Sequence, residues 1–384
     1  MGTITQNKVI EHSKLTTLKH AFRILSKDKL IRIAKKNNYP IGIDLSYKEI
    51  CSRILRDYNE DKFGKEFYSI IKRQAFNPDL NVQDGFFLSI DEIYKFDIKA
   101  FKSHLESYDM NRETKDGQEE VLTFKVIDES VDCLKVLATI DKIKYLYDYG
   151  NESSIIYLLP RRAVLEIYPT NNIVYIQTKN TGIYSDIKST TQLLFQQYFQ
   201  DDSLKLTKPK MTQSLSTDVG TNGSVVSYFG INKYTIKFLD ILYELENKKY
   251  NFSEFLVSDI AFDHEDDNHM DLDTMIYSTS FDGKNLLEHD EVKNRILNGR
   301  VILSVCLKII YNEDIGNNKM FMHSIDAGII NQSGYFRMYI KDNDKIDSNI
   351  MEYAYIKLKQ LFIDSFSSKE LNNEDKIKKI IRSN

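Results

Sequence analysis

The stretch AVLEIYPTNNIVYIQTK, residues 163–179, decides the fold class because two apolar, β-branched runs flank a strong turn signal. Thr170, Asn171 and Asn172 form that signal, since asparagine bonds to its own backbone and tolerates the left-handed conformation. The stretch therefore predicts a β-hairpin. The segment SDIKSTTQLLFQQYF that follows, at 185–199, predicts a helix.

The same order of strand pairs and helices recurs along the chain. The runs VLTFKVID (121–128) and CLKVLATI (133–140) predict an earlier hairpin. Later strands are predicted at 255–262, 274–281, 300–311 and 335–342, and helices at about 231–248, 288–298 and 346–366. The predicted fold class is α+β, with an N-terminal helical module followed by a mixed α+β body of β-hairpins covered by helices.

The length of 384 residues exceeds what one compact core usually holds, so several domains are expected. Changes in composition predict these divisions: a helical, basic N-terminal module at 1–110, an α+β domain at 120–200, a linker or mobile loop at 201–224, a second α+β domain at 225–366, and a charged tail at 367–384 that frays or forms a short exposed helix.

Three helices are predicted at the start of the module. Apolar residues recur at helical spacing from Leu15 to Leu25, and Ser26 can cap the next helix. Tyr39-Pro40-Ile41-Gly42 must end that helix, since proline disfavours helix in the residue before it and Gly42 permits a positive φ. Ser46 and Glu49 have the spacing of a capping box for the third helix.

Charge is unevenly distributed although the net charge is only −4. Between Lys14 and Arg56 there are 11 Lys and Arg against 3 acids, whereas 259–291 holds 11 acids against Lys284 alone. The chain is therefore not uniformly basic, but its N-terminal module has the local charge of a polyanion-binding surface.

The stretch LSKDKLIRIAKKNNYPIGIDLSYKEICSRIL at 25–55 resembles the SAP and helix–extended–helix group of DNA-binding modules. The residues that carry the resemblance are Leu25, Leu30, Ala34, Pro40, Gly42, Lys48, Glu49, Ile50, Arg53 and Ile54. The resemblance implies two helices joined by an extended link, with the second helix and the link approaching the nucleic acid.

The same resemblance implies a set of phosphate contacts, namely Lys35, Lys36, Lys48, Arg53 and Arg56. Lysine and arginine displace the counterions condensed on a nucleic acid, which agrees with that role. Such contacts hold the backbone rather than read bases, so sequence specificity is expected to be weak. The opposing interpretation is a structural helical hairpin whose basic face is merely solvated.

Other chemistry is weakly indicated. The segment DIAFDHEDDNHMDLD at 259–273 does not fit an EF-hand, and a metal site using His264, His269 and Asp271 is outweighed by a solvated acidic loop. No phosphate-binding loop or nucleophile motif occurs, so no catalytic residue, metal or cofactor is predicted. The separated residues Cys51, Cys133 and Cys306 favour reduced thiols in the cytoplasm, and no membrane-spanning segment is expected.

Three function classes remain open. The preferred hypothesis is a non-enzymatic binding or regulatory protein that contacts DNA or RNA through the N-terminal hairpin and a protein partner through the α+β body. The alternative is a structural or assembly protein of a virus or mobile element that forms oligomers. A metal-dependent enzyme acting at the acidic segment is the third hypothesis.

Overall fold

A computed structural model of the chain describes most of its residues. The described residues are 15, 18, 19, 21, 22, 25–37, 39–42, 44–60, 62, 67, 68, 70, 71, 83–95, 97–107, 110–113, 119–148, 153–210, 212–219, 225, 226, 228, 230–263, 278–283, 285–314, 320–332, 334–343 and 345–382. The segment 264–277, which includes the candidate metal ligands His264, His269 and Asp271, lies outside them.

The fold is α+β, as predicted, and the chain divides into two compact units. Unit 1 comprises 1–82, 97–166 and 180–198, and unit 2 comprises 83–96, 167–179 and 199–384.

The N-terminal part of unit 1 is helical. Helix α1 spans Lys27–Lys36 and α2 spans Tyr47–Asn59. Their apolar side chains join a core that is separate from the main core of unit 2. Its fully buried or nearly buried members are Leu18, Ala21, Phe22, Leu25, Leu30, Ile33, Ala34, Ile50, Ile54, Phe67 and Ile71. The helical spacing from Leu15 to Leu25 therefore predicts the burial of Leu18, Phe22 and Leu25 correctly.

The rest of unit 1 combines strands with two helices. The strands β2 to β5 span Met110–Glu113, Glu119–Glu129, Leu134–Asp148 and Ser153–Tyr168, and lie in the order β5-β4-β3-β2. The hairpin predicted from VLTFKVID and CLKVLATI is confirmed, since β3 and β4 pair antiparallel. Helix α3 (Ile98–Glu106) contacts β3, and its Phe101 stacks on Phe195 of α4 (Thr181–Phe199).

Unit 2 is built on an antiparallel sheet. Strands β1, β6 and β9 to β13 span Asp84–Ser89, Ile173–Gln177, Phe252–Asp263, Ser278–Asp282, Ile302–Asp314, Met320–Gln332 and Tyr335–Ile340. They lie in the order β10-β9-β11-β12-β13-β1-β6, and each neighbouring pair is antiparallel. The turn predicted at 169–172 precedes β6, and Asn172 adopts a φ of 54° there. Short strands β7 (Asp218–Val219) and β8 (Val225–Val226) form a separate pair.

Strand β1 lies inside the segment that the sequence predicts to be mostly helical. Its residues DGFFLS are almost all buried, so they lack the alternation that reveals a half-exposed strand. Phe87 of β1 is opposite Phe336 on one side and Tyr175 on the other. This short strand therefore belongs to the centre of unit 2, not to the helical module.

Helices cover one face of the unit 2 sheet. Helices α5 to α8 span Lys233–Glu244, Asp290–Leu297, Ser348–Ser367 and Glu374–Arg382, with short 3-10 turns at Lys248–Tyr250 and Leu286–Glu288. Phe362 and Phe366 of α7 contact both Phe87 and Phe336. Aromatic rings of this size supply much of the apolar area that the core removes from water.

The C-terminal tail forms a docked helix rather than an exposed one. Ile377 and Ile381 of α8 are buried at the four-residue spacing that places both on one face. Before the helix, the carboxylate of buried Asp240 accepts hydrogen bonds from the backbone N–H groups of Asn372 and Asn373, both at 2.9 Å. The Nζ of Lys237, also buried, lies 3.2 Å from Asp240 and offsets its charge.

The segment predicted as a linker or mobile loop at 201–224 is anchored at its start. Leu204 and Leu206 are buried, and the backbone of Thr207 exchanges hydrogen bonds with Ser89 of β1. These two leucines are the apolar residues by which an otherwise polar segment is held to unit 2. Among the described residues of the whole chain, no helix has the length and apolar character needed to cross a lipid bilayer.

Candidate nucleic-acid interface

The start of α2 is fixed by the predicted capping box, which the structure confirms. The N–H of Glu49 donates to the Ser46 hydroxyl at 3.3 Å, and the Ser46 N–H donates to the Glu49 carboxylate at 2.7 Å. These bonds lower the pKa of Glu49, chiefly through the Ser46 side chain. The only acid in the first turn of α2 is therefore held at the helix end.

The link between α1 and α2 is tied to both helices. The N–H of Tyr39 donates to the Ala34 carbonyl at 2.9 Å, where α1 has just ended. The Tyr39 ring stacks on Phe67 with centroids 4.6 Å apart, and its hydroxyl donates to Asp57 of α2 at 2.5 Å. The predicted break in the helix at 39–42 is therefore confirmed, and the link is anchored rather than free.

Gly42 does not adopt the positive φ that glycine permits. Its φ is not among the positive values found at Gly230, Gly299 and Gly334 in the described chain. A Cβ atom added at Gly42 would meet only the Leu45 side chain, at an ordinary 3.6 Å. Pro40, which disfavours helix in Tyr39, is therefore the residue that makes this turn.

Tyr47 connects the start of α2 to the helix before α1. Its hydroxyl donates to the carbonyl oxygens of Phe22 and Leu25, the latter at 2.7 Å. Burial is the main reason that the pKa of Tyr47 is raised to about 12. The hydroxyl thus stays protonated as a donor to the backbone that precedes α1.

Three of the five predicted phosphate contacts, Lys35, Lys48 and Arg56, lie on the solvent side of this small core. Lys35 is exposed on α1, and Lys36 ends that helix with its side chain outside the described part of the structure. Lys48 and Arg56 are exposed on α2, eight residues apart and so on the same side of the helix. Ile50 and Ile54 occupy the opposite, buried side.

Arg53 and Arg56 both flank the carboxylate of Asp57. Their Nε atoms lie 3.9 and 3.5 Å from its oxygens, and the Asp57 side chain is only 13% exposed. The hydrogen bond from Tyr39 is the largest cause of the lowered pKa of Asp57, and the two arginines lower it further. Arg56 keeps 64% of its side chain exposed, whereas the Nε of Arg53 is buried and has no hydrogen-bond acceptor among the described residues.

The geometry gives this surface an excess of exposed positive charge. Of the acids close to the arginines and Lys48, Glu49 is engaged at the helix end and Asp57 is held by Tyr39. The long side chains of Lys35, Lys48 and Arg56 extend from two helices with their apolar faces packed inward. Such an arrangement can hold a polyanion by charge without forming a pocket for any one base.

Other charged and metal-binding side chains do not add a second site among the described residues. Arg161, which opens a basic and aromatic stretch of β5, lies 2.5 Å from Asp186 of α4, so its charge is already paired. In the described part of the chain, no three His, Cys, Asp or Glu side chains are grouped so that they could hold a metal. Cys51, Cys133 and Cys306 are free thiols of intermediate burial.

Comparison of the chain with models of protein families and with curated proteins finds no match in either set.

Proposed function

We propose that the chain is a non-enzymatic nucleic-acid-binding protein that contacts the phosphate backbone of DNA or RNA through α1 and α2. The observation that carries the proposal is the exposure of Lys35, Lys48 and Arg56 on two helices, with Glu49 and Asp57 of α2 engaged by Ser46 and Tyr39. Lys36 and Arg53 complete the proposed set. Cations placed in this way release counterions when they meet a polyanion, which favours binding entropically.

The proposal predicts low sequence specificity. Three of the five members of the proposed set are lysines, which act on phosphate as point charges, and contacts to the phosphate backbone carry no sequence information. Free thiols at all three cysteines fit a reducing compartment, so we place the function in the cytoplasm. The α+β body is proposed to contact a protein partner.

The test is the salt dependence of binding by the full chain. Affinity for two unrelated duplexes and for single-stranded RNA, measured by fluorescence anisotropy, should fall linearly with log salt concentration. The double substitution Lys48→Gln and Arg56→Gln should weaken binding equally for unrelated sequences. It should also reduce the slope by about 1 to 2 units.

A matched control removes the same charge elsewhere. Lys95→Gln with Lys99→Gln changes two exposed lysines outside the helical hairpin and should leave the slope unchanged. If the intact chain shows no salt-sensitive binding at about 50 mM salt, the basic face is only a solvated surface. If the control lowers the slope as much as the test pair, the interface lies outside α1 and α2.

A further inference from the structure

The β11–β12 hairpin of unit 2 exposes consecutive apolar side chains. Met320, Phe321 and Met322 at the start of β12 are 65%, 58% and 68% exposed. Single exposed apolar residues are common, but a contiguous run of large ones marks an interaction surface. Methionine is well suited to such a surface because its flexible thioether adapts to the shape of a partner.

The same residues form an open edge of the sheet. β12 pairs with β11 along its length, from Asp314↔Met320 to Ser304↔Ile330, but β13 pairs with β12 only from Ala327 onward. Within the described chain, no strand pairs with 320–325 on the side away from β11. An unpaired edge of this kind presents backbone donors and acceptors to another strand.

β13 cannot extend along this edge because the chain turns away from it. The N–H of Lys341 donates to the Asp326 carbonyl at 2.8 Å, and Asp347 then caps α7. Among the described residues, the edge at 320–325 is therefore unpaired because β13 ends before it reaches these positions.

Apolar side chains of α7 lie on the same side of the sheet as Phe321. Successive side chains of a strand point to opposite faces of the sheet. Phe321 and His323 therefore share the helix-covered face with buried Ile325 and Ala327, and Met320 and Met322 lie on the other face. His323, which contacts Phe321 and pairs with Glu313 at 2.8 Å, is opposite Tyr311 in the register.

Two large side chains of α7 are also exposed. Tyr353 and Ile356 of α7 are 62% and 44% exposed, one helical turn apart. The hairpin edge and the exposed stripe of α7 are thus two apolar features of unit 2, and a second copy of the chain can cover both.

We propose that the chain forms a two-fold dimer in which a segment of β12 within 320–325 pairs antiparallel with the same segment of a second copy. A two-fold axis normal to the sheet makes such an interface self-complementary. It also keeps the helix layers of both copies on the same side. Phe321, Tyr353 and Ile356 of one copy then meet those of the other.

The available area favours a second copy over a single peptide strand. Large aromatic side chains cover roughly 150–250 Å² each, so these partly exposed residues supply on the order of 500 Å² per copy. A standard interface uses about 800 Å² per partner, and the paired backbone adds to the side-chain area. A lone peptide would satisfy the edge but leave Tyr353 and Ile356 in water.

The charges around the hairpin disfavour a lipid surface as the occupant. Glu313 and Asp314 on β11 lie opposite Phe321 and Met320. The apolar tip of the hairpin, Met320–Met322, is therefore bordered by carboxylates. An anionic bilayer would repel these groups within a Debye length, about 8–10 Å.

The test is the mass of the full chain in solution, measured by light scattering after size exclusion. The wild-type chain should have twice its mass of 44.9 kDa. The double substitution Met320→Lys and Met322→Lys places charge on an exposed edge, so the dimer should weaken by about tenfold or more in Kd. Tyr353→Glu on α7 should weaken it independently, and Val131→Lys, which changes a side chain that is 90% exposed in unit 1, should not.

Several outcomes would overturn the proposal. One is a wild-type chain that stays monomeric up to about 100 μM, well above the micromolar range of weak interfaces. Another is a dimer that survives both the β12 and the α7 substitutions while thermal melts show the variants folded. A monomer that sediments with phosphatidylcholine–phosphatidylserine vesicles would instead assign the apolar tip to a lipid surface. None of these results bears on nucleic-acid binding by α1 and α2.

Discussion

At the scale of single residues, Asp57 links the folding of the helical module to the orientation of its arginines. Its carboxylate accepts from Tyr39 in the link and lies within 4 Å of the Nε atoms of both Arg53 and Arg56. The three partners hold one buried carboxylate in its charged form, which its lowered pKa reflects. A phosphate that approached Arg56 would therefore meet a side chain whose position is already restricted.

Gly42 gives the prediction at this scale. Because its φ is not positive and an added Cβ has room, Gly42→Ala should be neutral or should raise the free energy of unfolding by about 0.4–1 kcal/mol. The stabilisation would come from the smaller conformational entropy of the unfolded chain. Denaturant unfolding followed by circular dichroism measures it.

Gly299→Ala is the matched control. Gly299 has a φ of 77°, and an added Cβ would lie 2.5 Å from the Gly230 carbonyl oxygen. This substitution should destabilise unit 2. A loss of stability at Gly42 equal to that at Gly299 would mean that the link needs glycine after all.

At the scale of elements, hydrogen bonds at the helix ends fix where α2 and α8 begin. α2 begins at a reciprocal cap, and α8 begins where Glu374 accepts from the N–H and the hydroxyl of Ser216 at 2.6 and 2.5 Å. The Nζ of Lys378, one turn later, lies 2.9 Å from the same carboxylate oxygen. Each helix is thus positioned by a carboxylate in its first turn, where the helix dipole also favours negative charge.

The cap of α2 predicts the effect of Ser46→Ala. The substitution should lower the free energy of unfolding by about 1 kcal/mol, because Glu49 loses its hydroxyl acceptor and the reciprocal arrangement is broken. Hydrogen exchange over 47–59 in the full chain would detect the fraying. Ser52→Ala, an exposed change in the same helix, should not increase exchange, so equal effects at both positions would contradict the role of the cap.

The docking of α8 predicts a dependence on pH. Hydrogen bonds from Ser216 and then Lys378 lower the pKa of Glu374 from 4.5 to about 2. Because the folded state depresses this pKa, the stabilisation is fully present above 4.5 and is lost as pH falls towards about 2. The difference in exchange protection of 374–382 between wild type and Glu374→Gln should shrink over that window.

Asp375, the exposed residue after Glu374, provides the control for the pH dependence of α8 docking. Asp375→Asn removes a carboxylate from the same turn and should not reproduce the change with pH. A difference between wild type and Glu374→Gln that stays constant down to pH about 2 would show that Glu374 does not hold α8 through its charge.

At the scale of the whole molecule, the buried clusters of the described chain include a small helical core and the large core of unit 2, which share no buried residue. The first is closed by α1, α2 and the residues at 67–71, and the second by aromatic rings from strands and helices distant in sequence. Because buried contacts are the main source of stability, the two cores should respond separately to loss of packing.

Two cavity-forming substitutions test this independence. Ile54→Ala should cost about 2–5 kcal/mol and reduce exchange protection in 18–71. Phe336→Ala, which removes a ring in contact with Phe87, Phe362 and Phe366, should cost about 3–5 kcal/mol and reduce protection in unit 2. Equal loss of protection in both regions from either substitution would mean that the cores unfold as one.

The sequence by itself determined the local features of this protein. The turn at 169–172, the Ser46–Glu49 cap, the break after α1 and the helical spacing of buried residues in the module all depend on groups a few positions apart. Interactions of that range depend on residue type and spacing, so a pattern is enough to predict them. The basic set on α1 and α2 was predictable for the same reason, whereas its role stays a prediction.

Only the tertiary structure decided how distant segments meet. The pairing of β1 with β13 and β6, the ion pair of Arg337 with Asp84 at 2.6 Å, and the docking of α8 on Asp240 join residues more than eighty positions apart. The open edge at 320–325 likewise exists because β13 stops short of it. Such pairings are set by the simultaneous burial of many apolar side chains and the satisfaction of backbone hydrogen bonds, and no local pattern of residues specifies which strand will be the neighbour.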